Sequence, residues 1–129
     1  MVRRTIFLYS AIFWTGIILF LSLENANEIK QIEIPNFDKL IHAVFHFVFT
    51  TLWFLYLKKK LVTITNFPLL SFALMGSFFF GIAIELMQQY FTTTRSADVL
   101  DVLANLFGAS LAVISIILLN NYNRFIDKI

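Results

Sequence analysis

Residues 67–90 read FPLLSFALMGSFFFGIAIELMQQY, and this stretch decides the fold. An α-helix rises about 1.5 Å per residue, so about 20 apolar residues cover the roughly 30 Å hydrocarbon core of a bilayer. The stretch is long enough for this, and its one charged residue, Glu85, lies close to its far end. It therefore predicts a transmembrane helix.

Three further stretches of the chain have the same apolar character. They cover residues 5–23, 40–57 and 99–119, and the segments between the four stretches are short and polar. Of the 129 residues, 59% are apolar and only 14% are charged, whereas about 25% of the residues in soluble domains are charged. We predict an all-α integral membrane bundle of four transmembrane helices, forming a single domain over residues 1–129.

The basic residues predict which end of the bundle faces the cytoplasm. With an even number of spans, seven basic residues fall on the side of the termini and three fall on the other side. Because cytoplasmic segments are enriched in Lys and Arg, both termini are predicted to be cytoplasmic. The seven are Arg3, Arg4, Lys58, Lys59, Lys60, Arg124 and Lys128, and the three are Lys30, Lys39 and Arg95.

The composition also excludes several classes of function. The chain has no cysteine, so it has no disulfide, cysteine nucleophile, iron–sulfur cluster or thiolate zinc site. The net charge of +2 comes from short basic groups between apolar stretches and not from a basic stripe, so no nucleic-acid partner is expected. Membrane lipids are the partners that the composition implies.

Polar residues recur at helical spacing on the second and fourth predicted helices. Residues four apart, or three and then four apart, lie on one face of a helix. On both helices the face starts at the predicted outer surface and runs inward. The two sets are Asp38, Lys39, His42 and His46 on the second helix, and Asp98, Asp101 and Asn105 on the fourth.

The third helix brings its polar residues to the same depth. Glu85 lies about 27 Å along this helix, near the outer interface, and Gln88 follows it by one turn. A carboxylate that faces lipid costs a few kcal/mol, so Glu85 and Asp101 are expected to turn inward and meet donors. The donors within reach are Lys39, His42, Arg95 and Asn105.

Small residues form a row on each of the last two helices. Such rows allow two helix backbones to approach closely, so we expect the third and fourth helices to form a tight hairpin with the polar cluster at its outer end. The rows are Ala73, Ser77, Gly81 and Glu85 on the third helix, and Ala104, Gly108 and Ala112 on the fourth.

These motifs together resemble the signature of the VanZ-like family, over about residues 5–119. The resemblance implies a bacterial cell-envelope membrane protein, and the namesake of the family is associated with resistance to the glycopeptide antibiotic teicoplanin. This chain departs from the family pattern at His46, where Tyr is frequent, and at Thr92–Thr94, where a Pro-Gly pair often precedes the arginine. The motifs are Asp38-Lys39-Leu40-Ile41-His42, then Glu85 and Gln88, then Arg95, Asp98, Asp101 and Asn105.

The polar cluster has three interpretations that the sequence leaves open. It is a structural network, or a pocket in which Arg95, Lys39 and His42 hold an anionic head group, or a metal site built from carboxylates and histidines. The ligands of the metal site would be Asp38, His42, His46 and Glu85, but no His-Glu-x-x-His pattern is present. We therefore expect no metal and no cofactor.

The function that we predict is recognition of an envelope component at the outer face of the bacterial cytoplasmic membrane. The component is anionic or lipid-linked, for example a glycopeptide-like molecule. The alternatives are a membrane hydrolase or transferase, using Glu85, His42 and Asp101 as acid, base and orienter, and a purely structural partner. The candidate site residues are Asp38, Lys39, His42, Glu85, Gln88, Arg95, Asp98, Asp101 and Asn105.

The predicted topology is testable by cysteine labelling, because the chain has no cysteine of its own. Asn27→Cys and Thr93→Cys should react with a membrane-impermeant thiol reagent in intact cells, since both segments are predicted to lie outside. Thr63→Cys should react only after the cells are lysed. Labelling in the opposite sense would place the polar cluster on the cytoplasmic side.

Overall fold

The computed structural model describes residues 1–24, 35–124 and 128–129. It contains four helices: α1, Val2–Leu23; α2, Phe37–Lys60; α3, Asn66–Phe91; and α4, Val99–Asn123. Each is long and apolar enough to cross a membrane, and the described residues contain no strand. The predicted fold class is confirmed. Lys30, used in the topology argument, and Asn27, chosen for labelling, lie outside the described residues.

The helices alternate in direction, so both chain ends lie at one end of the bundle. There the Arg3 side chain donates through Nη1 to the main-chain oxygen of Ile129 at 3.0 Å. A cavity of about 460 Å³ opens at the same end. We call this the basic end, because the cavity is lined by Met1, Val2, Arg3, Arg4 and Lys59.

The opposite end, which we call the polar end, holds the starts of α2 and α4 and the end of α3. Asn36 precedes α2 with a positive φ of 61°, a conformation that Asn tolerates better than most residues. Asp98 caps α4 by accepting a hydrogen bond from the backbone N–H of Leu100 at 2.8 Å. Lys39 and Asp101 thus lie in the first turns of α2 and α4.

Apolar packing fills the bundle between its two ends. One cluster, towards the basic end, centres on Phe54 with Leu69, Leu70, Ala73 and Ile116. A second lies nearer the polar end and contains Phe49, which stacks on Phe80 with ring centroids 4.8 Å apart. Large apolar side chains elsewhere are exposed, as expected of a surface that faces lipid tails.

The closest approach between helices is between α2 and α4. A Cβ atom added to Gly108 would lie 1.9 Å from the main-chain oxygen of Ala43, so only glycine fits at this position. We expected the row Ala104, Gly108 and Ala112 to pack against α3, but Gly108 lies against α2, whereas the α3 row meets α4 where Gly81 contacts Asn105. A row of small residues indicates a close neighbour but does not identify it.

The row on α3 has a different role. A Cβ atom at Gly81 would meet side-chain atoms, with Asn105 Nδ2 at 2.8 Å and His46 Cε1 at 3.3 Å. Ser77, on the same face, is hydrogen-bonded to His46, with 2.7 Å between Oγ and Nδ1. The small residues of α3 thus make room for polar side chains of α2 and α4.

Glycine-to-alanine substitutions should separate these contacts. Gly108→Ala should lower the free energy of unfolding by about 2–3 kcal/mol or more, because the added methyl group meets backbone that cannot rotate away. Gly76→Ala is the matched control, since nothing lies within 4 Å of its Cβ position, and alanine should stabilise the helix by up to about 1 kcal/mol. Thermal unfolding in detergent would measure both variants. Equal stability of the two would contradict the close approach of α2 and α4.

Candidate functional site

One ammonium group joins α2 to α4 at the polar end. Lys39 Nζ lies 2.9 Å from Asp38 Oδ2, 2.8 Å from Asp98 Oδ2 and 2.5 Å from Asp101 Oδ1. The three donors of an ammonium group are therefore directed to three carboxylates. We call these four residues the Lys39 cluster.

The carboxylates of the Lys39 cluster differ in burial. The exposed fraction of the side chain falls from 62% at Asp38 to 42% at Asp98 and 13% at Asp101. Exposed ion pairs contribute about 0–1 kcal/mol, whereas removing one partner of a buried pair is far more costly. Asp101 is therefore the partner of Lys39 that matters most for the fold.

Asp98 connects three parts of the site. Its carboxylate caps α4 and accepts a hydrogen bond from Lys39, while its own backbone N–H donates to Glu85 Oε2 at 2.9 Å. The hydrogen bond from Lys39, followed by the one from the backbone N–H of Leu100, lowers the pKa of the Asp98 carboxyl group below its ordinary value. The group is ionised at neutral pH.

His42 lies one turn below Lys39 and contacts two residues of α4. Its Nδ1 is 3.0 Å from Asn105 Oδ1, and its Nε2 is 3.4 Å from Asp101 Oδ2. An amide oxygen only accepts hydrogen bonds, so Nδ1 carries the proton and donates it to Asn105. This arrangement directs Nε2 towards the carboxylate of Asp101.

Glu85 is the buried carboxylate of the site, with 3% of the residue exposed. Its Oε2 accepts the backbone N–H of Asp98, but its Oε1 is buried and has no hydrogen-bond partner among the described residues. One ligand atom each from His42, Glu85 and Asp101 lies within 4.8 Å of the other two. We call these three residues the His42 group.

Two residues predicted for the site hold α1 in place instead. The Arg95 side chain donates through Nε to the main-chain oxygen of Glu24 at 3.0 Å, and Gln88 Nε2 donates to the main-chain oxygen of Ser22 at 2.8 Å. The expected contact between Arg95 and Glu85 is not among the ion pairs of the described residues. The other seven predicted residues form the Lys39 cluster and the His42 group with Asn105.

His46 lies outside both groups. It is buried one turn below His42, pairs with Ser77 and packs against the rings of Phe49 and Phe80. Ser77 was not predicted to be the partner of His46, although the small residues Ser77 and Gly81 leave space for a polar contact on this face of α3. The ligand set Asp38, His42, His46 and Glu85 is therefore not assembled, and Asp101 takes the place that had been considered for His46.

The charges at the polar end do not balance within the described residues. Asp38, Asp98, Asp101 and Glu85 supply four carboxylates, whereas Lys39 and Arg95 supply two permanent positive charges, and Lys39 is the one of these two that pairs with any of the four. His42 adds a positive charge only when it is protonated. A cation from outside the chain would therefore be attracted to this region.

Four membrane-length helices, with a cluster of charged side chains at one end of the bundle, define a polytopic membrane protein with a polar site. A family model described as VanZ/LLP1 matches residues 6–120. The chain therefore belongs to the VanZ-like family, which confirms the resemblance seen in the sequence. Comparison with curated proteins and with solved structures finds no match.

Replacing Lys39 should test how far this end of the bundle depends on it. Lys39→Met keeps most of the side-chain volume but leaves Asp101 without its ammonium partner, so we expect a loss of about 2 kcal/mol in unfolding free energy. Asp38→Asn is the control, since the exposed Asp38 should change stability by less than about 1 kcal/mol. Thermal unfolding in detergent at pH 7 measures both. If the two variants lost stability equally, the ranking by burial would be wrong.

Proposed function

We propose that this chain is a multi-pass protein of the bacterial cytoplasmic membrane that binds a lipid-linked envelope component at its outer face. The polar end faces outward, and the anionic head group of the component is bound by Arg95. The family membership and the four membrane-length helices support the location. The distribution of basic residues, seven at one end and three at the other, supports the orientation.

The observation that carries this proposal is the state of the Arg95 guanidinium. Its Nε is fixed by the main-chain oxygen of Glu24, and no carboxylate of the described residues pairs with the group. A guanidinium that is positioned but not neutralised is suited to bidentate binding of a phosphate or carboxylate. Lys39, in contrast, is already bound by three carboxylates, so it is not the cation that holds the ligand.

The association of the family's namesake with glycopeptide resistance suggests which components to consider. Glycopeptides act outside the cytoplasmic membrane, where lipid-linked cell-wall intermediates carry phosphate groups beside the bilayer. A site at the outer interface that holds such a head group would place this protein where those antibiotics act. Resistance to glycopeptides is therefore part of the proposal.

A second candidate function is hydrolysis or group transfer on the same lipid-linked substrate. The proximity of His42, Glu85 and Asp101 favours it, since each has a ligand atom within 4.8 Å of the others. In this reading Glu85 is the general acid, His42 the base and Asp101 the orienter. The third reading, a structural network only, requires no ligand at all.

Two variants measured side by side distinguish the three readings. The probe is farnesyl pyrophosphate, a water-soluble polyprenyl pyrophosphate, with farnesol as its uncharged control. If Arg95 binds the head group, Arg95→Ala should weaken probe binding by about tenfold or more, and the melting temperature should fall only slightly, because the variant loses a single hydrogen bond, to Glu24, worth about 1 kcal/mol. Lys59→Ala, which removes one positive charge at the basic end, should leave probe binding unchanged.

Glu85→Gln reports on the alternatives. If the protein is an enzyme, this nearly isosteric variant should bind the probe but release no inorganic phosphate, whereas the unmodified protein releases it. If the cluster is purely structural, both variants should lose melting temperature and any binding in proportion, and that outcome would defeat the proposal. In cells, Arg95→Ala should abolish the tolerance to teicoplanin that expression of the unmodified chain confers.

A further inference from the structure

Three electron-rich atoms converge on one point inside the polar end of the bundle. They come from His42 on α2, Glu85 on α3 and Asp101 on α4, and they lie within 4.8 Å of one another. The three residues lie on three different helices, which the packing of the bundle brings together. The convergence is thus a property of the folded bundle.

The hydrogen bonds around His42 require a cation at this point. Since Nδ1 donates to Asn105, the lone pair of Nε2 points at Asp101 Oδ2, 3.4 Å away. Two acceptor atoms do not attract each other, so either a proton or a metal ion lies between them. The distance suits a metal ion, because two ligands bound tetrahedrally at about 2.1 Å lie about 3.4 Å apart.

Glu85 provides an independent indication. Only 3% of Glu85 is exposed, and its Oε1 has no partner among the described residues. A buried carboxylate oxygen without a donor is strongly unfavourable unless a proton or a metal ion completes it. Among the described residues the four carboxylates at this end also outnumber the two permanent positive charges, Lys39 and Arg95, which favours a further cation.

The other polar atom of each candidate ligand already has a hydrogen-bond partner, as is usual for the ligands of protein metal sites. Asn105 binds Nδ1 of His42, and Lys39 binds Oδ1 of Asp101. The backbone N–H of Asp98 binds Oε2 of Glu85. Each ligand therefore keeps one atom free to face the centre of the group while its other atom fixes its orientation.

We infer that His42 Nε2, a Glu85 carboxylate oxygen and Asp101 Oδ2 bind one divalent transition-metal ion, Zn²⁺ or Mn²⁺. One imidazole and two carboxylates are ligands that both ions accept, and three protein ligands leave a coordination position open. The inference departs from our expectation of no metal, which rested on the absence of a His-Glu-x-x-His pattern. The inference deepens the proposed function and rests on it for one detail: the ligand at the open coordination position is a phosphate oxygen of the head group.

Metal binding should be tested on the purified, chelator-treated full chain in detergent, with metal ions alone and without lipid phosphate. Titration with Co²⁺ should give visible d–d absorption bands that saturate at one ion per chain, and Zn²⁺ should displace it with loss of the bands. Elemental analysis after removal of free Zn²⁺ should then find one zinc per chain. These measurements need no variant and so do not depend on the folding of one.

Variants locate the ion within the group. Glu85→Gln, Asp101→Asn and His42→Gln should each weaken Co²⁺ binding more than about 100-fold. This exceeds the loss that is usual when the changed residue only orients a metal ligand. His46→Gln is the matched control, since His46 lies one turn away on the same helix and pairs with Ser77 instead. It should bind Co²⁺ as the unmodified chain does, with the same absorption spectrum.

The proposal is overturned if the unmodified chain, folded by circular dichroism, shows no Co²⁺ bands and retains less than one tenth of a zinc ion per chain. It is also overturned if His42→Gln and His46→Gln bind Co²⁺ equally. Either result would assign the position between His42 and Asp101 to a proton. Binding of farnesyl pyrophosphate through Arg95 is measured separately, so a chain that binds the probe but no metal would refute this inference alone, and one that binds metal but no probe would refute the proposed function alone.

Discussion

A charged side chain within the width of a bilayer must be paired inside the protein, and in this chain the ammonium group of Lys39 is the shared partner of three carboxylates. By binding Asp98 and Asp101, Lys39 ties the first turn of α2 to the start of α4. The position of α4 in turn brings Asn105 and Asp101 to His42, and the backbone of Asp98 to Glu85. The close contact of Gly108 with Ala43 keeps the same two helices together. Gly108 lies about two turns past Asp101 on α4, and Ala43 lies about one turn past Lys39 on α2.

The four helices were predictable because apolar length is a one-dimensional property that the bilayer thickness converts directly into structure. The helix bounds were less so: α1 and α2 continue through Arg3, Arg4 and the lysines at 58–60, since helical hydrogen bonding does not stop where apolarity does. The convergence of Lys39, His42, Glu85 and Asp101 followed from helical spacing and from the alternating direction of the spans. Helical spacing acts within one helix, and the alternating direction of the spans determines which helix ends lie together.

The contacts that could not be predicted depend on how the helices rotate against each other. Gly108 shows that α4 has a close neighbour, but nothing in its own sequence distinguishes α2 from α3 as that neighbour. Arg95 and Gln88 bind main-chain oxygens of Glu24 and Ser22 at the end of α1. Every residue carries such an oxygen, so a sequence gives no sign of which one a side chain will use.

The hydrogen bond from the backbone N–H of Asp98 to Glu85 has a consequence for how the protein is made. When α3 has been synthesised and α4 has not, Glu85 lies in an apolar helix without the donor that the finished fold supplies. The next helix begins fourteen residues later at Val99. Glu85 therefore obtains its donor only once the start of α4 has been synthesised.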